Sequence, residues 1–136
     1  PEEAHEFVDI MRNQQLDPIF LVAPTSTDDR IQTICEHSGG FVYYVSLKGV
    51  TGAATLQVDS VRDKLIKIRE HTSLPIGVGF GISDAERAAE IARIADAVVV
   101  GSAIVKRVAA HIDDAEAMRN DIADLLREMR SAMDAV

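Results

Sequence analysis

Cysteine is almost missing: Cys35 is the only one, so no intrachain disulfide can form. A reducing, cytoplasmic setting is therefore expected. Basic residues are also scarce, 14 Lys and Arg against 22 Asp and Glu, for a net charge of −8. No basic stripe exists to neutralise phosphates, which argues against a nucleic-acid or anionic membrane surface. No apolar run approaches the roughly 20 residues of a membrane-spanning helix. The sequence opens with no basic-then-apolar stretch, so no secretory leader is expected. It opens instead on Pro1-Glu2-Glu3, which reads as the first turn of a helix, so the chain is expected to be cut from a longer one.

What is present is ordinary for one globular domain: 136 residues, 47% apolar and 26% charged. Ala4, Phe7, Val8 and Met11 share one helical face and predict a helix over 2–14. A proline-bounded apolar run predicts a strand at 18–23. Thr27 with Asp28 and Asp29 opens a helix that buries Ile31, Ile34 and Cys35 and stops at Gly39-Gly40. A second strand is expected at 41–46, then a loop over 47–57 and a helix over 59–71. The third strand is expected at 75–80, followed by a helix with a Ser83–Glu86 capping box. The fourth strand is expected at 97–100, then a short helix at 102–110. A last helix is capped by Asp113 or Asp114, with Met118, Ile122, Leu125, Met129 and Met133 on one face.

Strict alternation of apolar strands and helices predicts parallel βα units in an α/β fold. The strand starts lie about 26 residues apart on average, against about 31 per unit in a full (β/α)8 barrel. Four units fit half a barrel, and spacing alone leaves an open doubly wound sheet possible.

In either architecture ligands meet the C-terminal strand ends. Three of the four ends run into glycine: Gly49 and Gly52, Gly79 and Gly81, and Gly101 before Ser102. Glycines let backbone N–H groups approach an anion, and a helix opening at Ser102 adds unpaired donors and a favourable dipole. A phosphate is the expected ligand. The same ends lack something: none carries Asp, Glu or His, the groups that acid–base catalysis needs. Lys48 reads as solvated. Tyr43 faces either the ligand or the core. Asp28, Asp29, Asp59, Asp84, Asp113 and Asp114 all read as helix-start acids. The histidines have no metal-ligand spacing; His37, His71 and His111 fall at helix C-termini and His5 in solvent. Cys35 reads as a core residue, and no Ser–His–acid set appears around Ser46, Thr51 or Ser102.

The stretches PIFLVAPTSTDDRI, YYVSLKGVTGA, GVGFGIS and VVGSAIVK, in this order and at these distances, closely resemble the C-terminal half of tryptophan synthase alpha chains. The resemblance spans essentially all 136 residues. It implies the last four βα units of a TIM barrel, here one domain over 1–136. It implies a retro-aldol cleavage of indole-3-glycerol phosphate to indole and glyceraldehyde 3-phosphate, with no cofactor or metal in this chain. The indole would pass to a beta chain that uses pyridoxal phosphate. Carried over residue by residue, Gly52, Gly81, Gly101 and Ser102 would hold the phosphate. Tyr43, Phe80, Leu21 and Val99 would line the pocket, and Thr51 would sit on the closing loop. The family's catalytic carboxylates match no residue here, so the segment alone is expected to be inactive. Leu47 and Lys48 depart mildly from the family's loop. A phospho-sugar or phosphoribosyl isomerase half-barrel stands as the alternative, and so does a non-catalytic interaction module. An isolated half-barrel would self-associate through its open sheet.

Overall fold

The computed structural model describes residues 4–46, 54–79 and 81–136, the side chains of 54–57 excepted. The order is α1 (His5–Asn13), β1 (Leu21–Val22), α2 (Asp28–His37), β2 (Val42–Val45), α3 (Ala54–Arg69), β3 (Ile76–Gly79), α4 (Ala85–Ala92), β4 (Ala97–Val99), α5 (Ser102–Ala110) and α6 (Ala115–Asp134). All three strand pairings are parallel and the spatial order is β1-β2-β3-β4. That order settles the choice left open by spacing. A doubly wound sheet reverses its strand order at a switch point, whereas a barrel adds each strand beside the last.

The strand faces differ. Val22, Val42, Tyr44, Ile76 and Val78 are buried, and they join Ile31, Ile34, Leu65, Ile68, Ile91, Leu125 and Met129 in one core. The helices α2, α3, α4 and α6 thus cover this face. The other face carries Leu21, 55% exposed, and the exposed Ala97. The apolar strands do alternate in burial, most clearly in β2, where Val42 and Tyr44 are buried and Tyr43 and Val45 half-buried.

Three local expectations need correction. The helix α3 starts at Ala54, five residues before the expected 59, so Asp59 lies inside the helix and pairs with Arg62 at 2.8 Å. The strand β1 is two residues long rather than six. And α4 is capped by Asp84, not Ser83: Asp84 accepts from the Arg87 N–H at 2.9 Å, while the Ser83 hydroxyl donates to Asp84 at 2.8 Å. Glu86 therefore sits one position too early to close a capping box.

The Arg87 N–H bond is the main cause that holds the Asp84 carboxyl below its ordinary pKa, with the Ser83 hydroxyl and the Arg87 charge adding to it against desolvation. A lowered folded-state pKa stabilises the fold above the unfolded carboxyl's pKa, and the stabilisation is lost as pH falls through the folded value. Asp84→Ala is expected to cost about 1 kcal/mol at neutral pH. The difference from wild type should shrink in acid as the wild type loses its charged cap. Urea unfolding of both proteins across pH checks this.

Candidate functional site

Parallel register fixes which side chains share a face. Leu21, Tyr43, Gly77 and Ala97 form one row across the sheet, and Val45, Gly79 and Val99 form the next. Both rows lie on the face that no described helix covers. The glycines of β3 make its floor. A methyl added at Gly77 would sit 3.2 Å from the Phe41 ring. One added at Gly79 would lie 2.8 Å from Tyr43 Cε2, 2.9 Å from Val99 Cβ, and closer still to the Tyr43 hydroxyl. Tyr43 therefore leans across Gly79 toward Val99, and the two readings of Tyr43 resolve in favour of the open face.

Above these rows lie the strand ends. The Ser46 N–H and hydroxyl both donate to the Gly79 carbonyl, at 3.0 and 3.2 Å, tying the end of β2 to that of β3. Gly81 and Gly101 each lie two residues beyond the paired Gly79 and Val99, so they occupy the same end of adjacent strands. Gly81 has φ +75°, a conformation that glycine adopts without strain, and a methyl there would meet none of the described residues within 4 Å. Gly101 is the N-cap of α5, and a methyl there would likewise meet none of the described residues within 4 Å. The first intrahelical bonds of α5 run from Ile104 and Val105 to the Gly101 carbonyl. The Ser102 and Ala103 N–H groups come before them, in the turn where helices leave donors without intrahelical partners.

Leu21, Tyr43 and Val99 thus share one face, and Gly81, Gly101 and Ser102 share one end of it. Thr51, Gly52 and Phe80 lie outside the described residues, as does Lys48. Val45, which completes the row with Gly79 and Val99, was missed, although alternation from Tyr43 would have found it. Neither row contains a carboxylate or an imidazole. The acids nearest along the chain are engaged elsewhere: Asp96 accepts from the Ile76 N–H and from Arg69 at the start of β3 and β4, and Asp84 caps α4. A cavity of about 400 Å³ is lined by Tyr44, Ser46, Val61, Gly81, Ile82 and Ile91 among others. Burial pushes the Tyr44 phenol pKa up.

Elsewhere, burial and then the Glu36 charge push the Cys35 thiol up, which suits a core residue rather than a nucleophile. His5 is not simply solvated: its Nδ1 lies 3.1 Å from His37 Nε2, while His37 Nδ1 bonds the Thr33 carbonyl at 2.8 Å. Among the described residues no three His, Cys, Asp or Glu gather into a group that could hold a metal ion.

A family model, tryptophan synthase alpha chain, matches residues 1–134. The chain belongs to the tryptophan synthase alpha chain family. It is 62% identical over 134 residues to the tryptophan synthase alpha chain of Thioalkalivibrio sulfidiphilus, covering 98% of this chain and 50% of that protein. The alpha chain of Methylococcus capsulatus is 56% identical over 135 residues, covering 99% of this chain and 51% of that protein. A crystal structure of the alpha chain from Legionella pneumophila superposes with a TM-score of 0.83 at 30% identity, covering all of this chain and 49% of that one. A structure of Mycobacterium tuberculosis tryptophan synthase superposes with a TM-score of 0.80 at 34% identity, over 98% of this chain and 48% of that one. The chain spans about half the length of the alpha chains it matches. The α/β half-barrel of four parallel units is the fold that the family resemblance implied.

Proposed function

We propose that this chain supplies the phosphate grip and half the pocket of an alpha chain that cleaves indole-3-glycerol phosphate. One observation carries the reading. Two glycine turns end adjacent strands beside the start of the nine-residue α5, above a largely apolar face with no carboxylate or imidazole. Donors at such turns suit a phosphate, and Leu21, Tyr43 and Val99 offer an apolar wall to an indole ring. Gly52, Thr51 and Phe80 join this set on the family resemblance.

Cleavage breaks the bond between indole C3 and the glycerol carbon. A proton must reach C3 and another must leave the glycerol hydroxyl, giving indole and the aldehyde. Both transfers need titratable groups in reach. The described strand ends provide none, so those groups come from the rest of the barrel, and the 136 residues act as one unit within it. The same chemistry calls for a partner that consumes indole, and the family's beta chain is that partner in this reading. No described helix is long and apolar enough to cross a membrane; a cytoplasmic location goes with the pathway.

The test is substrate choice in a barrel completed with the N-terminal half of an alpha chain. Turnover of indole-3-glycerol phosphate is expected, with none of a phosphoribosyl isomerase substrate. The reverse preference would overturn the reading. On its own the chain is expected to self-associate through the uncovered sheet face, where Leu21 is 55% exposed. Sedimentation at rising concentration checks this, and a sharp monomer throughout would count against it.

A further inference from the structure

The helix α5, which presents the Ser102 and Ala103 N–H groups, is poorly held by apolar packing. Ala103 is its one fully buried residue, with Ile104 at the edge of the core. Its outer side leaves Val105 65% exposed and Val108 41% exposed. The helix α6, by contrast, is anchored by buried Leu125 and Met129. One helical turn before Leu125, Asp121 reaches back to α5 with both oxygens. Arg107 Nε donates to Oδ1 at 3.0 Å, and His111 Nε2 lies 3.2 Å from Oδ2. Arg107 Nη1 also donates to the Ala103 carbonyl at 3.2 Å, closing the chain of bonds on the first turn.

We infer that Asp121 is a positioning residue for the phosphate site: its grip on Arg107 and His111 sets the direction of α5 and so the aim of the Ser102 and Ala103 N–H groups. The inference rests on the phosphate reading above. The three side chains are 29–39% exposed, so solvent screens the contacts only in part. Geometry makes the effect one of aim. A helix of nine residues is about 13 Å long, so a tilt of about 10° at its C-terminal end moves its first turn by about 2 Å. Displacements of that size are enough to spoil donor alignment at a bound anion.

The experiment uses the full-length alpha chain carrying this C-terminal half. Binding of glycerol 3-phosphate and of indole is measured by calorimetry, alongside steady-state kinetics. Asp121→Ala should weaken glycerol 3-phosphate binding about 5-fold and raise KM similarly, with kcat and indole binding within about two-fold. Asp121→Glu, which keeps a carboxylate, should recover most of the loss. If Asp121→Ala does not fold, His111→Asn removes one arm and should weaken glycerol 3-phosphate binding about two-fold, again sparing indole. Unchanged glycerol 3-phosphate binding in the folded variant, or equal weakening of both ligands, would overturn the inference while the phosphate reading stands. Failure of the wild-type protein to bind glycerol 3-phosphate would overturn that reading and the inference with it.

Discussion

Indole release from indole-3-glycerol phosphate by the 136-residue chain alone is expected to run on the order of 10⁴-fold or more below that of a completed barrel. The rows Leu21–Tyr43–Gly77–Ala97 and Val45–Gly79–Val99 offer shape and apolar surface, and no carboxylate, imidazole or amine to move a proton at neutral pH. A half-barrel also leaves its pocket face in water, which weakens every polar contact to a substrate. Adding the missing half repairs both defects together. A fluorescence assay for indole, run on the chain alone and on the completed barrel, gives the ratio. A rate from the chain alone within ten-fold of the completed barrel would sink the assignment of catalysis to the other half.

The second large effect is expected at Gly79. Gly79→Ala should lower kcat/KM in the completed barrel about 100-fold and cost about 1–3 kcal/mol of stability. The new methyl would lie inside contact distance of Tyr43 Cε2 at 2.8 Å and Val99 Cβ at 2.9 Å. Something must shift. The Gly79 carbonyl is held by two bonds from Ser46, so β3 is ill placed to retreat, and Tyr43 must swing instead. A displaced Tyr43 changes the pocket wall. Tyr43→Phe in the same chain removes the nearest clashing atom and should recover part of the loss, with Cε2 and Val99 still crowding the methyl. The double-mutant cycle should then show coupling beyond about 0.5 kcal/mol. Strict additivity, or a Gly79→Ala enzyme as active as wild type, would contradict the packing described here.

How far the sequence reaches is clear from single positions. Residues 102–110 read as a short helix and are one, because Gly101 and Asp114 mark its two sides. The start of α3 was misplaced because its apolar spacing begins only at Val61 and Asp59 resembles a cap. The helix continues back to Ala54 with no such signal. The spacing of Ser83 to Glu86 predicts a serine cap, but the adjacent carboxylate of Asp84 wins the N–H of Arg87. The strand β1 shortened because pairing needs a neighbour in register, and only Leu21 and Val22 have one. In the site, the glycine ends were legible because the demand on the backbone is local. Which side Tyr43 faces, and that it leans over Gly79, depends on register between strands and on residues 36 apart in sequence. The contacts of His5 with His37 and of Asp121 with Arg107 and His111 are tertiary in the same way. Helical spacing within one element cannot announce them.

Glycerol 3-phosphate binding by the completed barrel, with and without Gly81→Ala, is the direct test of the phosphate grip. Gly81 has φ +75°, where an alanine costs about 1–2 kcal/mol, and among the described residues nothing lies within 4 Å of the added methyl. The effect on ligand binding is then expected through the turn and the methyl facing the ligand. Phosphate affinity is expected to fall about 10-fold or more, while indole affinity stays within about two-fold. Glycerol 3-phosphate bound as tightly by Gly81→Ala as by wild type would contradict it.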